Sequence, residues 1–453
     1  MPALPPGPRM PRPAQTAAWI ARPGPFMLRA HARYGDAFTI RIGNEPPWVM
    51  LAHPDAVREV FTGDPALLHA GKANVILRPL LGRTSVLLLD GPEHMRQRKL
   101  MLPPFHGSRM AGYRDMVAAI AREHIAGWPR GEPLALAPRM QAITLDVVLR
   151  VIFGFRLPDE SLAPRARLPR SNRLRRRARD RRRRDGETRL DALRGRVRTM
   201  VDRITSGPSM VAMAAAGPSG IERLGLYRPV LKPVDALLYD QIRERRADPG
   251  DDVLSLLLAA RHEDGSPMSD QELRDELVTL LVAGHETTAT ALSWTAERLV
   301  RTPGGWDALR AGGEEYAEAA GKEALRLRPV LPVVVRHLQA PMTIAGLDLP
   351  AGAVVAPSIY LVHRRGEIYP EPARFLPERF LGDKPQGGTY TWIPFGGGVR
   401  RCLGAAFALM ELRVVLAELG RTLDAAAVDA APEATRRRAI TMAPARGAEV
   451  VLS

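Results

Sequence analysis

Apolar residues recur at three- and four-residue spacing through most of the chain, which makes helix the dominant expectation. The periodicity predicts helices over about 54–62, 92–101, 108–127, 137–153, 190–204, 230–246 and 252–262. The most pronounced one opens at Ser269, an N-cap residue with Glu272 three positions later as its reciprocal partner. It continues through Leu273, Leu277, Leu281, Leu292 and Leu299, and Pro303 stops it. A helix of about 33 residues is about 50 Å long. Apolar positions occupy much of its circumference, so its middle is expected to be buried.

Period-two alternation is confined to short stretches. Residues 37–43 and 48–52, joined through Asn44-Glu45-Pro46-Pro47, predict a β-hairpin. Beyond Arg328 the texture changes to short strands at 333–336, 342–344 and 354–356. A Pro-rich meander, a Gly-rich loop and a last apolar helix over 405–419 follow. No internal repeat is visible. The expected fold class is mainly α with minor β, as one large α-rich domain over 1–453 behind a Pro-rich segment, 1–25. No run approaches the ~18 apolar residues needed to cross a bilayer, so no integral membrane segment is expected. Nor does an apolar signal core precede the Pro-rich segment, and a cytoplasmic location is expected.

Composition alters this picture at one place. Of 453 residues, 45% are hydrophobic and 25% charged, as in ordinary globular proteins, which excludes a disordered or fibrous chain. Lys and Arg outnumber Asp and Glu by 65 to 49, a formal charge of +16. Residues 165–198 alone hold 16 arginines against four acids, so +12 of that charge lies in one segment. With few apolar groups to repay ordering, the segment reads as a solvated, mobile insertion. The other reading is a phosphate-tracking patch for nucleic acid or an anionic lipid surface. The run lacks the interleaved aromatics of a base-stacking surface, which makes a nucleic-acid partner unlikely on this sequence. Its composition also allows a compensated reading-frame slip.

The single cysteine, Cys402, excludes an intrachain disulfide, a four-cysteine zinc site and a cysteine-ligated iron–sulfur cluster. It lies in Phe395-Gly396-Gly397-Gly398-Val399-Arg400-Arg401-Cys402-Leu403-Gly404, directly before a helix. The helix dipole, unpaired N–H groups and two arginines all favour a thiolate there. Glycines on either side allow close approach of a flat ligand and supply donors to the sulfur. No Gly-Lys-Ser/Thr follows, so the loop is no Walker phosphate cradle.

The pattern Phe-Gly-x-Gly-x-Arg-x-Cys-x-Gly resembles the haem-binding loop of the cytochrome P-450 family of haem-thiolate monooxygenases, with every fixed position met. The resemblance implies that family's fold, with small sheets and helices enclosing haem b. It implies Cys402 as the axial ligand of the haem iron and Arg400 as a partner of a haem propionate. In the predicted long helix, Ala283-Gly284-His285-Glu286-Thr287-Thr288 places polar groups where they are costly unless satisfied. Thr287 can bond back to the Ala283 carbonyl and bend the helix. The zinc-protease pattern His-Glu-x-x-His fails, because Ala289 holds its fifth position. The segment is similar to the family's oxygen-binding groove, which implies that Thr287 orders protons or water at dioxygen and that Glu286 feeds the relay.

Three further matches follow from the same resemblance. Glu323-Ala324-Leu325-Arg326, with Pro377-Glu378-Arg379-Phe380, implies a buried structural network of Glu323, Arg326 and Arg379. His94 and Arg98, four apart on one helix face, resemble a propionate clamp, and Arg336 occupies the position of another propionate ligand. Segments 73–89, 205–216, 279–286 and 331–335 are expected to line the substrate site, and their mostly apolar side chains favour a lipophilic small molecule. The implied activity inserts one atom of dioxygen into that substrate. Cys402 leaves no room after it for a fused redox domain, so electrons are expected from an external donor such as a ferredoxin with its reductase, or a flavodoxin. A basic face around Arg400, Arg401 and Arg413 would attract an acidic donor. The alternatives are a non-catalytic haem sensor and a binder acting through the basic run.

Overall fold

The computed structural model describes residues 4–105, 107, 109–155, 190–382 and 386–453. The long helix is Asp270–Val300. Its start is the capping box expected: the Glu272 N–H donates to Ser269 Oγ (3.2 Å) and the Ser269 N–H donates to Glu272 Oε2 (2.8 Å). Leu273, Leu277, Leu281, Leu292 and Leu299 are fully buried. Around it pack Leu136–Phe153, Gly305–Leu327 and Ala405–Thr422. Leu136–Phe153 buries Met140, Ile143, Val147 and Phe153 against it, so these four helices share one apolar core.

Residues 156–189 lie outside those described, and with them most of the predicted mobile insertion 165–198. Residues 190–198, which the sequence placed both in that insertion and in a helix over 190–204, belong to that helix. The reason is an apolar stripe: Leu190, Leu193, Val197, Met200 and Val201 recur at helical spacing and all are buried. The Pro-rich start is likewise ordered, as helices Arg12–Ala21 and Pro23–Tyr34. Prolines sit in the first turn of each, where their missing N–H costs nothing.

Four small sheets complete the fold among the described residues. The largest orders its strands Ala37–Ile40, Trp48–Leu51, Val354–Pro357, Arg336–Leu338, Leu68–His69. Trp48–Leu51 and Val354–Pro357 are parallel, with Trp48 opposite Val354, and the other pairs are antiparallel. The strand expected at 333–336 therefore begins only at Arg336. A hairpin near the C-terminus, Thr435–Arg438 with Thr441–Pro444, reaches the long helix: the Trp294 indole N–H donates to the Met442 carbonyl (2.8 Å). No helix among the described residues is long and apolar enough to cross a membrane.

Candidate functional site

The cysteine loop leads into Ala405–Thr422 with Gly404 at the N-cap. Gly396 and Gly398 adopt positive φ (66° and 64°), which an L side chain strains to reach. A Cβ on Gly397 would strike the Phe61 ring at 2.1 Å, and one on Gly398 would strike the Phe61 carbonyl at 2.0 Å. These glycines thus let the loop settle on helix Pro54–Thr62, where the sequence suggested approach to a ligand. The Cys402 N–H closes the turn onto the Phe395 carbonyl (3.0 Å).

Cys402 is accessible, yet burial pushes its thiol above the ordinary value, a combination found where a side chain lines a deep recess. The Gly404 N–H, Arg98 and Arg401 pull the thiol back down but do not prevail. The loop N–H and Arg401 thus act toward thiolate in the sense expected, and burial outweighs them. Burial costs the anion more than its donors return, and a bound metal cation is what would deprotonate it.

Four bases gather near the thiol. His94 is buried on Gly91–Met101, and Arg98 lies half-buried one turn on. Burial, with Arg400, Arg98 and Arg336 around it, drives His94 down to about 3, so it is neutral. Arg336 is buried, and its Nη1 donates to the Val335 carbonyl (2.8 Å). Burial and the nearby Arg400 bring it down to about 10, while Asp90 acts the other way. Arg400 donates from Nη1 to the Val86 carbonyl (3.2 Å) and from Nη2 to Asp90 Oδ1 (2.5 Å) and the Leu89 carbonyl. It therefore straps segment 86–90 to the cysteine loop, a role the sequence did not reveal. One carboxylate, Asp90, offsets this cationic group. The set is suited to a flat ligand carrying two more carboxylates, as haem b does.

On the long helix, Ala283 is exposed and Gly284 and Thr287 half-buried, while His285, Glu286 and Thr288 are buried. That short face is the part of the helix middle that protein does not cover. Thr287 Oγ1 donates to the Ala283 carbonyl (2.5 Å), the back-bond expected of it. A Cβ on Gly284 would come within 3.0 Å of Val148, so glycine also serves the packing of the two helices. The Glu286 carboxylate accepts from Gln141 Nε2 (2.7 Å) and lies 3.5 Å from Arg438 Nε. Burial raises its pKa, against the pull of Arg438 and Gln141.

The structure brings Glu323, Arg326 and Arg379 together. Arg326 Nε and Nη2 donate to the two Glu323 oxygens (2.6 and 2.7 Å), and Arg379 Nε lies 3.5 Å from Glu323 Oε1. All three side chains are buried. The basic face is corrected: Arg400 is half-buried and paired with Asp90, and Arg413 pairs with Glu314 (3.1 Å) and Glu318 (3.2 Å). Arg401 is the exposed member.

Sequence reasoning missed Asp90, Gln141, Arg438 and two buried acids. Glu276 accepts from the Val86 N–H (2.7 Å), and burial pushes it up to about 8. Glu411 is fully buried beside Thr288, with its pKa raised well above the ordinary value. Its signal was available, as an acid set between Met410 and Leu412 in the apolar run 405–419.

A family model described as cytochrome P450 matches residues 5–167, 227–312 and 314–444. Cytochrome P450 135B1 of Mycobacterium tuberculosis is 40% identical over 463 aligned positions, covering 99% of this chain and 91% of the relative. Cytochrome P450 135A1 of the same species is 37% identical and covers 99% and 95%. Among solved structures, a retinoic acid bound cyanobacterial CYP120A1 superposes with a TM-score of 0.81 at 22% identity over the whole of both chains. The heme domain of cytochrome P450DA gives 0.77 at 21% identity, over 100% of this chain and 98% of that one. With the cysteine loop, the buried bases and the polar turn of the long helix in the expected order, the chain belongs to the cytochrome P450 family of haem b monooxygenases.

Proposed function

We propose that this monooxygenase acts on a lipophilic small molecule with electrons from separate redox proteins, and that its chemistry centres on Cys402. The observation that carries the reading is one arrangement: the only thiol in the chain is accessible beside Arg98, which belongs to one cluster with the neutral His94, Arg336 and Arg400. Cys402 would hold the iron, with the Gly404 N–H donating to its sulfur. His94, Arg98 and Arg336 would hold the propionates; Arg400, tied to Asp90, would act on them mainly through its charge. Bound haem b supplies the iron at which dioxygen is activated, one oxygen atom going to substrate and the other to water.

The residues of the long helix manage protons. The Thr287 hydroxyl, anchored on the Ala283 carbonyl, keeps two lone pairs toward the uncovered face and can order a water there. Glu286, buried and with its pKa raised, is suited to take up a proton and pass it on. The substrate site is bounded by 73–89, 205–216, 279–286 and 331–335, and Arg78 Nε with Glu222 Oε1 (2.7 Å) joins the first of these segments to the helix Gly207–Leu224. We assign the protein to the cytoplasm.

The test is a screen of lipophilic compounds for the spin-state shift of the haem on binding, followed by dioxygen uptake with a ferredoxin and its reductase. Substrate-dependent uptake with oxygenated product is expected. Ligand binding without turnover under any donor would favour the non-catalytic sensor.

A further inference from the structure

Glu286 does more than neighbour Thr287. Its carboxylate sits at the inner end of a half-open cleft of about 210 Å³, lined among others by Gln141, Thr290, Arg436, Arg438 and Arg446. Arg436 and Arg446 at its mouth are exposed, whereas Glu286 is buried. Such a volume has room for water, and its lining supplies polar partners for it. Arg438, at the end of the hairpin strand Thr435–Arg438, bridges the two environments. Its Nη2 lies 2.8 Å from Asp202 Oδ1, its Nε donates to Thr205 Oγ1 (3.1 Å), and the same Nε is 3.5 Å from Glu286 Oε2. The Asp202 side chain is 61% exposed, that of Arg438 19% and that of Glu286 9%, so the three run from solvent inward.

We infer that this cleft is the route by which solvent protons reach Glu286, and that Arg438 is a positioning residue which, shared between Asp202 and Glu286, holds the carboxylate at the inner end of that route. The inference rests on the reading of Glu286 and Thr287 given above. Each transfer balances: Glu286 passes its proton inward to water at Thr287, and the carboxylate regains one from bulk solvent through the cleft water, so two such transfers supply the two protons that reduction of one oxygen atom to water consumes. Arg438 and Gln141 favour the carboxylate, burial and Asp202 the neutral acid. The other groups of this region are His285, kept neutral at about 4 chiefly by burial, Arg198 beside it, and Arg436 and Arg446 along the cleft. No acid besides Asp202 opposes Arg438 among those acting on Glu286.

The test uses the haem-loaded protein and two readouts. In the resting enzyme, the infrared C=O band of the protonated Glu286 carboxyl, identified by its loss in Glu286→Gln, is titrated against pH. In turnover, the solvent deuterium effect and the pH profile of coupling are measured. Arg438→Gln should move the Glu286 midpoint up by about 1 pH unit or more, Asp202→Asn should move it down, and Arg438→Lys should stay near the parent. Ala137→Leu, which narrows the cleft, should increase the solvent deuterium effect without moving the midpoint. Opposite shifts from the two charge variants exclude a merely structural role. Unmoved midpoints in both, with intact haem spectra and melting, would overturn the role of Arg438, and an unchanged deuterium effect in Ala137→Leu would overturn the route. If Glu286→Gln itself left coupling and its pH profile unchanged, the underlying reading of Glu286 would fail instead.

Discussion

Arg326→Leu removes a guanidinium whose N–H groups all have acceptors inside the protein. Two go to the Glu323 carboxylate (2.6 and 2.7 Å), and three go to the carbonyls of His363 (2.8 Å), Pro372 (2.9 Å) and Arg374 (3.0 Å). Both Arg326 and Glu323 side chains are fully buried. Taking away one partner of a buried pair costs about 3–5 kcal/mol, because the other charge stays behind unpaired. Each carbonyl stripped of its donor adds about 1 kcal/mol or more, although terms in one network overlap. Arg379 at 3.5 Å and the Leu376 N–H at 2.9 Å remain as partial compensation for Glu323. The expected loss is about 5 kcal/mol, which is a third or more of the ~5–15 kcal/mol that stabilises a typical domain. Urea denaturation of the haem-loaded protein, followed by the Soret band and by tryptophan fluorescence, measures it. Trp392 packs on Phe380 in the meander that Arg326 pins, so fluorescence should report the same transition. Arg326→Lys should recover part of the loss, since an ammonium keeps the charge but lacks the planar fork. Arg374→Ala, which breaks an exposed pair of the same i, i+3 spacing, should leave the midpoint where it is. A loss below about 1 kcal/mol in Arg326→Leu would refute the reasoning, because the buried network would then carry no weight.

Three other outcomes are expected. Thr287→Ala should cut product formed per electron by about tenfold or more while dioxygen uptake continues, and unchanged coupling would exclude its role. Glu276, held up to about 8 by burial, keeps its proton in the fold while the unfolded chain loses it near the ordinary 4.5. Its contribution to stability is thus fully present below about 4.5 and declines as pH rises to about 8. Glu276→Gln should flatten that slope in urea titrations taken at several pH values. Asp90→Asn should weaken the bonds from the Gly71 and Lys72 N–H groups (2.8 Å each) and from Arg400. It should lower stability by about 2–3 kcal/mol and speed haem transfer to an acceptor protein.

What the sequence made legible was local. The capping box at Ser269, the 3.6-residue stripe of the long helix and the back-bond of Thr287 each depend on residues within one turn, so spacing suffices to find them. The roles of the Cys402 loop and of the Glu323–Arg326 pair were legible through their resemblance to family motifs, which spacing alone would not have supplied. Pairings across the chain were not. Arg400 and Asp90 stand 310 positions apart, and Arg438 and Asp202 stand 236 apart. Either arginine could have faced solvent as far as its neighbours in sequence can tell. Asp90 shows the difficulty: it precedes Gly91-Pro92, where an N-cap is expected, yet its side chain turns to Gly71, Lys72 and Arg400. The helices Arg12–Ala21 and Gly207–Leu224 escaped because Pro and Gly suppress helix propensity, whereas in place the prolines occupy first turns and a kink at Gly217.

The role of Cys402 is tested most directly by the carbon monoxide difference spectrum of the dithionite-reduced, haem-loaded protein. The account predicts the strongly red-shifted Soret band of thiolate-ligated haem in the parent and its loss in Cys402→Ser. A band at the position of imidazole-ligated haem in the parent, or a red-shifted band that survives Cys402→Ser, would contradict it.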